Sequence, residues 1–582
     1  MISAMRGFGT KLGWILVAAA VGASACADDG GNGSGGATTG GATSTDGSAD
    51  GSAGPTATDS SMATSGATTA GADDSDSGGE TDGPPMACEP FGKWPAPETT
   101  FVLPAREGTG IYYPDVQASF PEVDWATLDR LYVPAGQYTQ LNLGNLPDRS
   151  PDDPLVITNM GGQVRIGPPN PTDNFLWAME GGSNWVLTGR YDADAGTGDE
   201  SAPGHRCGEY ASSRGNYGFW SDDAFAMRDY LHMGISVGHA RAYEIEFVEV
   251  ERSGFAGIRL LNSWDDGELP MADVRVHDNY VHDVDGEGIY FGWTGGPPSN
   301  LTPGLQVYNN RFVRTGNEAL QIQDIGPGTE IHHNVIAWAA LHWRDNGLGA
   351  YQDGNSQISI REGDVEIHHN VFIGGAGTLG SFWSQAQSGD GDRNVVFHDN
   401  YFADSRNQAV YFGGSMTSGS SLAFTDNFVR GLEFSYDDLD PMATPPTAVF
   451  RLAPEIGGDV SFTGNAWDSD LPLVEGGMGP AQSDNVQGPL DAIAFVDSGY
   501  PPGVPVDALE AWTAVSTLAP GSPARDYVVG ELVTYDGQLY TCVAANTDQP
   551  PPEHPESWMQ LPAPPDDLRV MPGTAYEGFG VQ

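Results

Sequence analysis

The densest convergence of reactive side chains in the 582-residue chain is the loop ALHWRDNGLGAYQDG at 340–354, which holds His342, Trp343, Arg344, Asp345, Tyr351 and Asp353. Imidazole, guanidinium, phenol and carboxylate in one short loop are the ingredients of proton transfer beside a fixed positive charge. Tyr290 stands on the third strand of a repeat, with Asp324, Arg361 and Glu362 just beyond that strand, and all four join the same candidate catalytic set. His342 or Tyr290 would move a proton, and Arg344 or Arg361 would hold an anionic group or a developing oxyanion. Asp324, Asp353 and Glu362 supply carboxylates for a paired acid and base. The loop also reads as a surface insertion around a buried Trp343. Elimination favours the set: Lys11 and Lys93 are the only lysines, and no Cys or His spacing resembles a zinc site.

Hard divalent cations want clustered oxygens. The turn DVDGEG at 283–288 places Asp283, Asp285 and Glu287 together, and YDADAGTGDE at 191–200 gathers Asp192, Asp194, Asp199 and Glu200. Calcium is therefore the candidate cofactor, with Asp283, Asp285 and Glu287 as its ligands. Neither turn has the closing glutamate of an EF-hand, and both also read as solvated Asp turns. A formal charge of -53, from 78 acidic and 25 basic residues, excludes a nucleic-acid binder.

These residues are positioned by a repeat. One pattern returns as VRVHDNYV at 274, LQVYNNRF at 305, TEIHHNVI at 329, VEIHHNVF at 365, VVFHDNYF at 395, LAFTDNFV at 422 and VSFTGNAW at 460. Its asparagines, Asn279, Asn310, Asn334, Asn370, Asn400, Asn427 and Asn465, are 31, 24, 36, 30, 27 and 38 residues apart. A minimum near 24 with variable excess is one solenoid coil with loops inserted at a permissive corner. Each copy alternates with period 2 and is too short for a helix, so it is a strand. Asn at a fixed corner tolerates left-handed backbone, and its amide can bond to the next coil as a ladder. A second strand, a Gly-rich turn and a third strand follow, giving three strands per coil stacked about 4.8 Å apart. The fold class expected is all-β, a right-handed parallel β-helix. His277, Tyr308, His332, His368, His398, Thr425 and Thr463 form one outward column, readable as a sugar-binding strip or as the solvent side of a strand. On the third strand the outward residues are read as Arg259, Tyr290, Gln321, Ser359 and Tyr411.

Over roughly 130–525 this repeat resembles the pectate-lyase-like β-helix superfamily. LYVPAGQY from Leu131 with PLVITNMGGQVRI from Pro154 looks like the first coil of many exported members, and LAPGSPARD from Leu518 like their closing segment. The resemblance implies a groove along the third strand and its preceding corner. It implies a polysaccharide partner, with lyase, glycoside hydrolase, epimerase and non-catalytic rod all open, since fold alone does not choose among them. Hydrolysis would need two carboxylates about 5 to 10 Å apart. Scarce lysine and an acidic surface disfavour a uronate lyase and favour a chitin-like or other neutral glycan.

Residues 523–562 resemble the chitin-binding type-3 module, with Tyr527, Gly530, Glu531, Val533, Tyr535, Gly537, Tyr540, Pro551 and Trp558 at the family's positions. The resemblance makes Tyr527, Tyr535, Tyr540 and Trp558 candidate sugar-stacking residues, although Tyr540 and Trp558 also read as core. VMPGTAYEGFG from Val570 repeats the character of LAPGSPARDY, so the module reads as inserted before a closing β-helix segment at 563–582.

At the other end, Arg6 and Lys11 precede the apolar run LGWILVAAAVG and then ASAC, ending at Cys26. This is an export signal at 1–25 that resembles a bacterial lipobox, which makes Cys26 the lipidated residue. Residues 26–86 read as an acidic Gly/Ser/Thr/Ala tether, with ten acids and no Lys or Arg from 27 to 86. The solenoid is expected at 87–522. Cys88, Cys207 and Cys542 allow one disulfide, read as Cys88 with Cys207. The whole reads as an exported monomeric lipoprotein of the outer membrane or cell surface, touching the membrane only through its lipid.

Overall fold

The computed structural model describes residues 94–104, 109–167, 175–200, 217–222, 233–261, 271–284, 286–292, 301–340, 354–375, 377, 380–386, 391–432, 446–496, 510–511, 526–527, 532–535, 538–542, 544–560 and 567–581. From Thr100 to Gln487 the chain winds into a parallel β-helix, the fold expected from the repeat. A typical coil has strands Arg275–His277, Tyr280–Val284 and Ile289–Phe291, which pair in parallel with Gln306–Tyr308, Arg311–Thr315 and Leu320–Ile325 of the next. These three columns are called the first, second and third sheets. The register keeps like above like: Val276, Val307, Ile331, Ile367, Phe397, Phe424 and Phe462 stack inside the first sheet. Rings of Phe397, Phe424 and Phe462 follow one another at 4.9 and 4.7 Å. At the first coil, Asp115 accepts from Ala118 N and caps the short helix Val116–Ser119, whose Val116 is buried.

The corner between the first and second sheets is held by the asparagines. Asn370 Nδ2 donates to Ile331 O at 2.8 Å and to Asn400 Oδ1 at 3.0 Å, while its Oδ1 accepts from Asn334 N and Nδ2, each at 3.0 Å. The left-handed bend expected at the Asn falls one residue earlier. Asp278, Asn309, His333, His369, Asp399, Asp426 and Asp484 have φ between 50° and 56°. Bending there turns each Asn side chain inward, where it caps backbone groups of both neighbouring coils. The ladder also has an eighth rung: Asn485 accepts from Asn465 N and Nδ2 and donates to Phe462 O. Its signal was the Asp-Asn-Val of 484–486, which repeats the corner without the flanking strand pattern.

From Glu244 onward this corner is constant, and chain length varies at the two corners flanking the third sheet. The long connections run from Leu260 to Arg275, Ala337 to Ser356 and Arg430 to Phe450. From Val335 to Tyr401 the second sheet is apolar on both faces, whereas the earlier coils carry Glu249, Glu251, His282 and Arg311 on the outer one. Its outer residues Val335, Ala337, Val371, Ile373 and Tyr401 are covered by Ile493, Phe495, Leu568, Val570, Tyr576, Phe579 and Val581. Phe495 and Val570 pair antiparallel, and Gly580 N donates to His369 O at 2.7 Å, so residues 567–581 lie as a strap across that face.

A separate small sheet pairs Leu532–Tyr535, Gln538–Cys542 and Trp558–Gln560 antiparallel, with Glu510–Ala511 parallel at its edge. Asp526–Tyr527 pairs with Asn546–Thr547.

Candidate functional site

The third sheet presents one outward position per coil. Hydrogen-bond register aligns Ser236, Arg259, Tyr290, Gln321, Gln357, Tyr411 and Arg451. Arg259, Tyr290, Gln321, Gln357 and Tyr411 are half-buried, and Arg451 is exposed. The strip thus offers hydrogen-bonding and ring side chains in steps of about 4.8 Å. The sequence reading assigned Ser359 to this column. Residues 357 and 359 share a face, and only register distinguishes them: Gln357 lies beside Gln321, while Ser359 lies beside Gln385.

Burial pulls the Arg259 guanidinium down to about 10, against the opposing effects of Tyr290 and Glu180, so it stays charged at neutral pH. Tyr290 packs its ring 5.7 Å from that of Phe255. The Arg451 guanidinium sits 5.7 Å from the Tyr411 ring centroid, within cation–π range. Gln321 Oε1 and Gln323 Oε1 are buried without a protein hydrogen-bond partner. Such an oxygen costs about 1 to 3 kcal/mol until a donor reaches it.

The strip also holds a register break. Between Ile322 and Ile325 the third-sheet strand bulges, and Asp324 has φ 59°. A bulge re-aims the side chains around it. Buried Asp324 and half-buried Arg361 meet here, with Nε 3.9 Å from Oδ1, and Glu362 follows Arg361 where the chain leaves the third sheet. The structure therefore brings Tyr290, Asp324, Arg361 and Glu362 to neighbouring coils of one sheet and its edge. His342, Arg344 and Asp353 lie outside the described residues, as do Cys26, Cys88, Cys207 and Asp285.

The other candidates fall elsewhere. Asp283 is taken up by Arg314, whose Nη2 is 2.8 Å away, and by His282 Nδ1, also at 2.8 Å. Although burial opposes its ionisation, these two cations hold its carboxyl well below the usual range. Glu287 is buried, with Asn317 Nδ2 3.3 Å from Oε1, and burial pushes its carboxyl up to about 7. The described residues Asp283 and Glu287 thus serve two different environments. Asp192 accepts from Asp194 N and Ala195 N, closing its own turn. In the small sheet, Tyr527, Tyr540 and Trp558 pack with Val533 and Cys542 as its core, and Tyr535 is partly exposed against them. Cys542 is buried, and its Sγ lies 3.2 Å from Ala544 O.

The His and Tyr column on the first sheet stacks ring on ring, from His277 through Tyr308, His332 and His368 to His398, at 4.3 to 4.9 Å. Each face is covered by its neighbour, so the column offers edges rather than flat platforms to a sugar. Sequence reasoning found the column but not the grouping of Glu366, His368 and His398, whose candidate ligand atoms lie within 4.8 Å of one another. Its signal was the Glu-Ile-His of 366–368 followed by His398 one coil later.

No family model matches the chain, and no curated protein matches it. Solved structures similar to it include the enzymatically active domain of bacteriophage CBA120 tailspike protein 2, at 11% identity and a TM-score of 0.30 over 72% of this chain and 53% of that one. A hyperthermoactive exopolygalacturonase from Thermotoga maritima is 14% identical, with a TM-score of 0.26 over 68% and 93%. The A-module of a mannuronan C-5 epimerase from Azotobacter vinelandii is also 14% identical, with a TM-score of 0.27 over 66% and 97%. The chain spans about half the length of the tailspike domain. The likeness is one of fold.

Proposed function

We propose that this chain binds an extended polysaccharide along the third sheet and cleaves it beside the Asp324 bulge. The observation that carries the reading is the in-register strip of Arg259, Tyr290, Gln321, Gln357 and Tyr411. A polymer with one sugar per step suits a surface with one polar or aromatic side chain per coil. Gln321 and Gln323 offer buried acceptors to sugar hydroxyls, and Tyr290 offers an apolar ring. Asp324 and Glu362 are the carboxylates for acid and base roles, and Arg361 steadies developing negative charge. The chain's net negative charge favours a neutral, chitin-like glycan.

In the same reading the protein is exported, anchored through a lipid on Cys26, and held off the membrane by the 26–86 tether. The 523–562 module adds a contact to insoluble glycan. Tyr535 is its partly exposed aromatic, and calcium is the cation to test at the acidic turns.

The deciding experiment incubates the full chain with a broad glycan panel, with and without calcium, and identifies products by mass spectrometry. Hydrolysed ends establish a glycosidase and unsaturated ends a lyase. Binding without new ends refutes cleavage and leaves a glycan-holding rod, and no binding to any glycan refutes the proposal.

A further inference from the structure

The imidazoles of the first sheet are all tethered in the same way. His277, His332, His368 and His398 each end a first-sheet strand, and the residue after each sits at or next to the left-handed corner. That next residue holds Nδ1: Asp278 Oδ2 at 2.6 Å, His333 Nδ1 at 2.9 Å, His369 Nδ1 at 2.9 Å and Asp399 Oδ2 at 2.8 Å. With Nδ1 committed, Nε2 is the nitrogen left to meet anything else.

Around His277 that nitrogen is already used, lying 3.0 Å from Glu244 and 3.7 Å from Glu246 in a buried cluster. Three coils further, the surroundings open. Glu366 and His368 alternate on one strand and so share its outer face, and His398 is the in-register neighbour of His368. Glu366 is exposed, while His368 and His398 are half-buried. Their ligand atoms lie within 4.8 Å of one another.

We propose that Glu366, His368 and His398 bind one divalent transition-metal ion of the zinc, cobalt or nickel type, with His369 and Asp399 as positioning residues. Two imidazoles and a carboxylate are the donor set such ions take, and the exposed side leaves a fourth position to water. A ligating histidine whose other nitrogen is tied to a carboxylate or similar acceptor has its tautomer and ring orientation fixed in advance. Both ligating rings have that support here, from His369 and from Asp399. Metal–nitrogen bonds of about 2.0 to 2.1 Å bring ligand atoms closer than the stacked rings now stand. Side-chain rotation of exposed Glu366 and tilting of the His398 ring close the difference. The site lies on the first sheet, away from the third-sheet strip.

The test uses full-length protein, stripped with a chelator and titrated with Co²⁺, followed by calorimetry and visible absorption. One equivalent should bind, with the absorption of a four-coordinate nitrogen and oxygen site. Glu366→Gln and His398→Ala should each weaken binding at least about tenfold, and Asp399→Asn, which keeps the left-handed bend, by about 10- to 100-fold. His554→Ala, at a half-buried histidine elsewhere, should change nothing. Absence of stoichiometric binding, or equal affinity in Glu366→Gln and wild type, overturns the proposal. If His398→Ala perturbs folding, the exposed Glu366→Gln variant decides alone.

Discussion

His332 Nδ1 stands 2.9 Å from His333 Nδ1, so two imidazoles adjacent in sequence share one hydrogen at the solenoid corner. The arrangement needs the accepting ring to be neutral, and a charge on either ring would sit beside the other. Burial, reinforced by neighbouring imidazoles, pushes both down to about 3. The unfolded chain takes up these protons near pH 6.5, whereas the folded chain resists until about 3. Their contribution is therefore complete above about 6.5 and is lost as pH falls toward 3. Urea unfolding at stepped pH should show stability dropping on acidification, with a shallower drop in His333→Asn, a residue that tolerates the bend. Parallel pH profiles for the two proteins would refute this.

Glu287 predicts the opposite slope. Its carboxyl, pushed up by burial from 4.5 to about 7, is held protonated by the fold. The stability it contributes is complete below 4.5 and lost as pH rises through 7. Glu287→Gln should match wild type near pH 5 and exceed it at pH 8. Equal unfolding midpoints at pH 8 would count against a buried protonated acid.

Asn370→Ala removes one rung and leaves Ile331 O, Asn334 N and the Asn400 amide short of a partner. Each unmet buried group costs about 1 to 3 kcal/mol, so the loss should be at least about 1 kcal/mol by denaturant unfolding. Asn485→Ala, at a partly exposed last rung, should cost less. The reverse order would mean the ladder is not what holds this corner.

Arg314 and Asp283 test the acidic turn. The Arg314 side chain is 5% exposed and that of Asp283 21% exposed. Arg314→Ala leaves half-buried Asp283 with His282 but not its guanidinium and should cost about 1 to 3 kcal/mol. A melting temperature within a degree of wild type would show the pair to be dispensable.

On the third sheet, Tyr290→Ala and Gln321→Ala should each weaken glycan affinity about tenfold with little change in melting temperature. Asp324→Asn should lower turnover at least about 100-fold, as removal of a positioned acid or base does. Affinity and rate that survive all three changes would move the binding face off this sheet.

Much of this architecture is written in one dimension. A strand's period of two, an Asn at each corner and a minimum spacing of 24 residues specify parallel coils, because each coil can bury its apolar side only against the next. Hence the stack of Val276, Val307, Ile331 and Ile367 was legible before any coordinate, and so was the outward column from His277 to His398. Tertiary structure decided what depends on register and on distant chain. Gln357 rather than Ser359 joins the strip because hydrogen bonds select between two residues on one face. The bend falls on the residue before each Asn because the amide must point inward to reach both coils. Asp283 turns to Arg314, 31 positions away, instead of to its neighbour Glu287, since a full opposite charge in the next coil outweighs adjacency in the turn. The apolar pairs after each Asn bury both faces of the second sheet only because a strap from residues 567–581 returns across more than a hundred residues to cover them. Local pattern records what a residue prefers, and packing in three dimensions determines which partner satisfies it.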